Sequence, residues 1–129
     1  MYKILIREHH LDTFGHVNNA TYLELYEEAR WELITKNGYG LAQVRETGQG
    51  PIILDVNLRF IKEISLRETI SIETKVLEYK SKIGKIEQSM VNEKSEVVST
   101  ALFTFGLFDT KTRKLITPTE AWKKAIGMG

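Results

Sequence analysis

The chain has no cysteine. That excludes disulfides, thiolate metal sites and a cysteine nucleophile, and it suits a reducing compartment. It has almost no net charge: 18 Lys and Arg against 17 Asp and Glu leave a formal +1. Nucleic-acid binding over a broad basic surface therefore has little electrostatic support, and no nucleic-acid partner is expected. No apolar run approaches the ~20 residues that span a bilayer, so no membrane span is expected either. The start, Met1-Tyr2-Lys3-Ile4-Leu5-Ile6-Arg7-Glu8, turns charged too early for a signal peptide. A cytoplasmic location is the expectation. Internal repeats and low-complexity segments are absent from the sequence. What remains is 129 residues, 42% hydrophobic and 27% charged. This is the make-up of one ordinary globular domain, residues 1–129, with one core.

Hydrophobic periodicity orders the elements. Residues 2–7 read as a short strand. From about Ala20 to Lys36 the pattern is helical, with Tyr22, Tyr26, Ala29 and Leu33 on one face and Glu24, Glu27, Glu28 and Glu32 largely elsewhere. Asn18 or Asn19 can cap its start, and Asn37-Gly38 ends it. The stretch from Gly38 to Pro51 carries Gly38, Gly40, Gly48 and Gly50 and reads as a mobile loop. Beyond it the period becomes two. Ile52, Leu54, Val56, Leu58 and Phe60 alternate with more polar neighbours, and so do Ile70, Ile72 and Val76. Further strands are expected at 83–92 and 97–108, with turns near 62–68, 79–82 and 92–96. Thr117-Pro118-Thr119-Glu120 reads as a helix start, with Pro118 near the first position and Glu120 in the first turn.

One long helix and a run of antiparallel strands bury each other best when the sheet curls around the helix. The class is α+β, with about five strands and a short C-terminal helix. A curled sheet of this kind keeps an open outer edge, and a second copy of the chain is one way to close it.

The stretch that carries chemistry is Asp12-Thr13-Phe14-Gly15-His16-Val17-Asn18-Asn19, followed at once by the helix. A carboxylate precedes a Gly-His-Val-Asn-Asn turn. The start of a helix offers unpaired backbone N–H groups that can hold a developing negative charge. A carboxylate plus oxyanion donors is a minimal kit for acyl transfer. The same string, continued by Tyr22-Leu23-Glu24 and Glu27-Glu28-Ala29-Arg30-Trp31, closely resembles hotdog-fold acyl-CoA thioesterases of the 4-hydroxybenzoyl-CoA type. Among these it is most similar to the bacterial thioesterase III kind, which acts on long-chain acyl-CoA. The resemblance covers essentially the whole chain, and Asn57 with Phe60 stands where the family has an Asn-x-x-aromatic strand.

That resemblance implies a hotdog fold: a helix wrapped by a curled antiparallel sheet. It further implies a homodimer or homotetramer, active sites at the subunit interface, an acyl-CoA substrate and no cofactor. It maps the catalytic carboxylate to Asp12 and the carbonyl-polarising N–H to the helix start near Asn19. Asp55, Asn57 or Glu27 could supply a further polar group from the partner. Two other functions stay open: hydrolysis of acyl-[acyl-carrier-protein], whose acidic carrier would meet a basic patch, and a non-catalytic acyl-binding domain.

Each candidate also has a plain structural reading. Asp12 is a common turn residue, but thioester hydrolysis needs a carboxylate to attack the carbonyl or to deprotonate water, and both roles stay open. His16 is the rival base or a turn residue. His9, His10, Asp12 and His16 lack a recognised metal-ligand spacing, so no metal is expected. Gly15, Val17, Asn18 and Tyr22 would shape the substrate site, although Tyr22 also fits the core. Lys80, Lys82 and Lys85 flank a predicted turn. They are a solvated surface or the site for the phosphates of coenzyme A, with Lys62 and Arg67 as weaker candidates.

Overall fold

A computed structural model describes residues 1–128. The elements run β1 (Tyr2–Leu5), a 3-10 turn (Glu8–His10), α1 (Asn19–Lys36), α2 (Leu41–Thr47), β2 (Gln49–Phe60), β3 (Thr69–Lys80), β4 (Ile83–Val91), β5 (Val97–Asp109), β6 (Lys114–Ile116) and α3 (Glu120–Ala125). The strands form one antiparallel sheet in the order β1-β3-β4-β5-β2, with β6 paired to the end of β5.

The helix α1 forms as its sequence dictates. Asn18 is the cap, its Oδ1 accepting the Ala20 N–H at 2.9 Å. The other end stops at Gly38, whose φ of +91° suits a residue without a Cβ. The buried stripe is Tyr22, Leu25, Tyr26, Ala29 and Ile34. Leu33, expected in that stripe, is only half-buried; Leu25 and Ile34 take its place, because the sheet wraps a wider arc of the helix than a single-faced stripe would fill.

The curl is visible in what α1 touches. Its residues reach every long strand and β1. The Tyr2 hydroxyl of β1 donates to Glu28 at 2.7 Å. Gln88 of β4 is fully buried, donating to the Tyr26 carbonyl and to Thr74 of β3. The Tyr26 hydroxyl donates to Ser99 of β5 at 2.7 Å. The Tyr22 ring stands edge-on to Phe60 of β2, centroids 4.8 Å apart. Bulges in the β2–β5, β3–β4 and β4–β5 pairings bend the sheet inward. Near its far end Gly84 lets β4 pass beneath Phe105; a Cβ there would sit 2.6 Å from that ring.

Several expectations need correction. The glycine-rich stretch is not a loop throughout. It holds α2, with Gly40 as its N-cap and Gly48 as its left-handed C-cap. The glycines punctuate a short helix instead of abolishing it. The next strand starts at Gln49, so Pro51 lies inside β2; an edge strand tolerates the missing donor. The short β6 escaped the pattern because three residues show no period. Thr119, not Pro118, opens the last helix, its Oγ1 accepting the Trp122 N–H. His9 and His10 lie on the 3-10 turn beyond β1, with ring centroids 4.1 Å apart.

The alternation expected along β2 also breaks. Val56, Leu58 and Phe60 pair with Phe103, Ala101 and Ser99 on the concave face. A bulge between Ile53 and Asp55 then shifts the parity, so Pro51 and Ile53 share that face in place of Ile52 and Leu54.

Candidate active site at the start of the long helix

Residues 11–17 fold back on themselves. Leu11 and Val17 form an antiparallel bridge, flanked by Asp12 N–H to the His16 carbonyl (2.7 Å) and Asn18 N–H to the His10 carbonyl (3.0 Å). Gly15 closes the tip with φ of +80°, where any Cβ would be strained. The carboxylate of Asp12 sits inside this turn. Its Oδ1 accepts the N–H groups of Phe14 (2.9 Å) and His16 (3.1 Å). Oδ2 has no hydrogen bond from the described residues. The turn therefore fixes the carboxylate in orientation and leaves one oxygen for other work.

The first turn of α1 has one donor to spare. The Asn18 side chain takes the Ala20 N–H and the Asn18 carbonyl takes the Thr21 N–H. Among the described residues the Asn19 N–H has no acceptor. It lies at the positive end of an 18-residue helix, where a negative oxygen is favoured by both the donor and the dipole.

A cavity of about 250 Å³ opens beside this turn, lined by His16, Val17, Asn19, Tyr22, Phe60, Glu63 and neighbours. Asp12 borders the turn but not the cavity wall. His16 does line it, and its Nε2 lies 3.2 Å from Glu63, both side chains being more than half exposed. Glu63 was not among the expected site residues; its only sequence signal is a place just past the end of β2. Tyr22 is buried with its ring on Phe60, and burial pushes its hydroxyl pKa up, so it acts as a neutral wall. The neighbouring His10 is buried, and its Nδ1 accepts the Arg7 N–H at 2.8 Å.

The structure thus gathers Asp12, Gly15, His16, Val17, Asn18, Asn19 and Tyr22. It does not bring the remaining candidates to them within one protomer. Asn57 lies on the convex face, in a shallow groove with Arg59, Glu87 and Thr100. Asp55 is exposed beside the β2 bulge. Lys80, Lys82 and Lys85 cluster at the β3–β4 hairpin, level with Ile53 on the sheet and roughly 20 Å along β2 from Phe60. Lys80 pairs with Glu78 at 3.3 Å and Lys85 donates to Thr104 at 3.3 Å. Lys62 is paired with Glu96 and Arg67 with Glu8.

A second, larger cavity of about 320 Å³ lies farther along α1. Arg30, Trp31 and Ile34 of the helix, Pro51 to Ile53 of β2, Ile86, Phe105 and Trp122 are among its walls. It is mostly apolar. The two cavities share β2, one at each end of the strand.

That strand is itself unusual. Ile52, Ile53, Leu54, Val56 and Phe60 are each 36–51% exposed, on an edge that no other strand covers.

These features match known proteins. The family model for the thioesterase-like superfamily matches residues 6–126. The long-chain acyl-CoA thioesterase FadM of Escherichia coli (strain K12) is 31% identical over 115 residues, covering 88% of this chain and 86% of that protein. Among solved structures, the YbaW probable thioesterase from Escherichia coli superposes with a TM-score of 0.86 at 27% identity, over 98% of this chain and 96% of that one. A DHNA-CoA thioesterase from Staphylococcus aureus superposes with a TM-score of 0.81 at 25% identity, over 90% and 78%. The fold, the carboxylate turn at a helix start and these likenesses agree: the chain belongs to the thioesterase-like superfamily, as a hotdog-fold thioester hydrolase.

Proposed function

We propose that the protein hydrolyses long-chain acyl-CoA in the cytoplasm as a homodimer or homotetramer, with Asp12 as the reacting carboxylate and the Asn19 N–H as oxyanion donor. One observation carries this reading. A carboxylate held by its own turn stands beside a helix start whose Asn19 N–H has no acceptor among the described residues. The thioester carbonyl would lie on that N–H. Asp12 then takes a proton from the attacking water, or attacks the carbonyl carbon itself to give a mixed anhydride that water opens to the free acid and the Asp12 carboxylate after coenzyme A has left. Negative charge collects on the carbonyl oxygen, and its collapse breaks the C–S bond and releases coenzyme A. Rapid acid quench within a single turnover separates the routes, since only the nucleophilic one leaves the acyl group covalently on Asp12.

The exposed edge supports the oligomer. The twelve-residue β2 exposes five large apolar side chains beside the unpaired backbone groups of its outer edge, a surface that pairing with another strand covers. Antiparallel pairing of β2 with its copy about Val56 sets the Phe60 end of one protomer against the Ile52 end of the other. The small polar cavity of each then adjoins the large apolar cavity and the lysine hairpin of its partner. A carbonyl at Asn19 could send its acyl chain into the partner's apolar cavity and its nucleotide toward the partner's Lys80, Lys82 and Lys85. Asp55 and Asn57 lie near the middle of the same seam.

The likeness to FadM supports a long-chain acyl group, and the likeness to the DHNA-CoA enzyme an aromatic one as the second choice. A thiol-release assay over acyl-CoA esters of increasing length, aromatic esters and acyl-carrier-protein decides. Maximal kcat/KM on long acyl-CoA is expected. Higher kcat/KM on the protein carrier replaces the nucleotide reading. Binding without thiol release on any member would make this a non-catalytic acyl-binding domain.

A further inference from the structure

Arg30 is a cation in the wrong company. It lies on the sheet-facing side of α1, four residues after Tyr26, and forms part of the wall of the larger apolar cavity. Its guanidinium sits over the Phe103 ring, 4.2 Å from the centroid. One N–H, on Nη1, donates to the buried Gln88 at 2.9 Å. Among the described residues no carboxylate oxygen comes within 4.0 Å of it. Glu27 shares the cavity wall one turn earlier but is exposed. Burial holds the Arg30 pKa down at about 10, and the group remains charged at neutral pH.

A guanidinium has five N–H donors in a planar fork. Gln88 and Phe103 fix the plane of this one and use one donor. Glu27, exposed on the same wall, is the one carboxylate that favours the charge; a partly desolvated cation beside an apolar space with so weak a counter-charge gains from an acceptor in that space. A plain hydrocarbon chain would leave the donors unmet. An oxygen acceptor at the right depth would meet two of them at once.

We infer that Arg30 selects acyl groups whose distal end carries a carboxylate, the chain filling the apolar cavity and the terminal oxygens docking on the Arg30 fork. This rests on the thioesterase reading for the identity of the substrate, but the cavity and its cation do not. The specificity-determining contact is therefore placed deep in the fold, away from the thioester, where it would discriminate through binding.

Two measurements test it, one without catalysis. Trp31 and Trp122, the chain's two tryptophans, both line the cavity, so their fluorescence reports its occupancy. Titration of the wild-type protein with decanoate and with methyl decanoate should show the acid binding at least about tenfold more tightly, the scale of a charge-assisted pair. In Arg30→Met that preference should vanish; in Arg30→Lys, which keeps the charge but loses the fork, part of it should remain. Equal binding of acid and ester to the wild type overturns the inference, as does an acid preference that survives in Arg30→Met. The wild-type comparison stands even where a variant fails to fold. The second measurement compares decanoyl-CoA with its ω-carboxylated counterpart. The wild-type kcat/KM ratio should favour the carboxylated ester by about tenfold or more and fall to about one in Arg30→Met. A wild-type ratio at or below one overturns the inference. If neither ester is hydrolysed while decanoate still binds through Arg30, the thioesterase reading fails and the anion site stands.

Discussion

The two cavities share one helix and one strand and differ in almost everything else. The small one is built from a turn, a helix start and the residues just past β2; an imidazole, a helix-start N–H and the Glu63 carboxylate line it, with the Asp12 turn beside it. The large one is built from packed aliphatic and aromatic side chains around a single guanidinium. The first has the polar, pre-oriented groups that chemistry needs, and little depth. The second has depth and an apolar wall, with one exposed carboxylate, Glu27, at its edge. If Asp12 and Arg30 play the proposed parts, reaction and selection are separated in space along one helix. The helix α1 and the edge strand β2 border both. Changes to the first region should act on kcat, changes to the second on selectivity, and changes to β2 on both together.

The largest effect is expected from Asp12→Asn. The amide keeps an oxygen that can accept the Phe14 and His16 N–H groups, so the turn should persist. Activity should fall by about 10²–10⁴ in kcat, the usual scale for an acid–base group. Steady-state kinetics with a circular-dichroism check of folding suffices. His16→Ala should cost less; a greater loss would pass the reacting role to the His16–Glu63 pair.

Next comes the seam. Val56 is 40% exposed at the middle of β2. Val56→Lys should leave the protomer folded, because the long side chain can reach water, but it places like charges together across a β2–β2 pairing. Sedimentation should show the wild type as an oligomer and the variant at the 14.8 kDa of one chain. Activity should drop more than about tenfold at low protein concentration and partly recover as concentration rises. A wild-type monomer with full activity would break the link between the two cavities.

Replacing Lys80, Lys82 and Lys85 together by alanine sharpens the contrast. KM for acyl-CoA should rise by about fivefold and kcat hardly change, since exposed contacts remote from the carbonyl bind ground and transition states alike. The effect should shrink with salt and vanish for acyl-pantetheine.

The smallest concerns a strut of the polar region. His10 is buried, and burial first, then the His9 charge, holds its pKa below the ordinary 6.5. The neutral ring is the form whose Nδ1 accepts the Arg7 N–H. The unfolded chain thus takes up the proton at higher pH than the folded one. The stabilisation is complete above 6.5 and is lost as pH falls through the folded value. Urea midpoints measured from neutral pH downward should decline, and more gently in His10→Gln.

Much of the turn beside the small cavity was legible in the chain, because local chemistry builds it, whereas the half of the cavity wall formed by residues 60–64 was not. Asp12, Gly15, Asn18 and Asn19 lie within eight residues, and capping and turn rules act at that range. The helix and the four long strands were legible from their periods. The large cavity was not, since its walls come from five separated elements and no short-range rule links them. Yet Arg30 left a trace: it falls four residues after Tyr26 on an otherwise apolar face. The β2 bulge left none, as Ile52-Ile53-Leu54 is apolar in either parity.

That bulge gives β2 something like a reading frame. From Phe60 back to Val56 every second residue faces the helix; at Leu54 the count slips by one, and Ile53 and Pro51 continue on the same side. Losing Leu54 itself would turn the bulge into a regular strand and leave Ile53 and Pro51 on the helix side. Losing or gaining one residue in the regular run between Val56 and Phe60 would instead throw everything upstream out of phase, turning Ile53 outward and Ile52 toward Arg30, while the Phe60 end kept its sense. Substitutions along this edge should be tolerated one at a time, but length changes in that run should not, and natural relatives should gain or lose a residue of β2 only at the bulge.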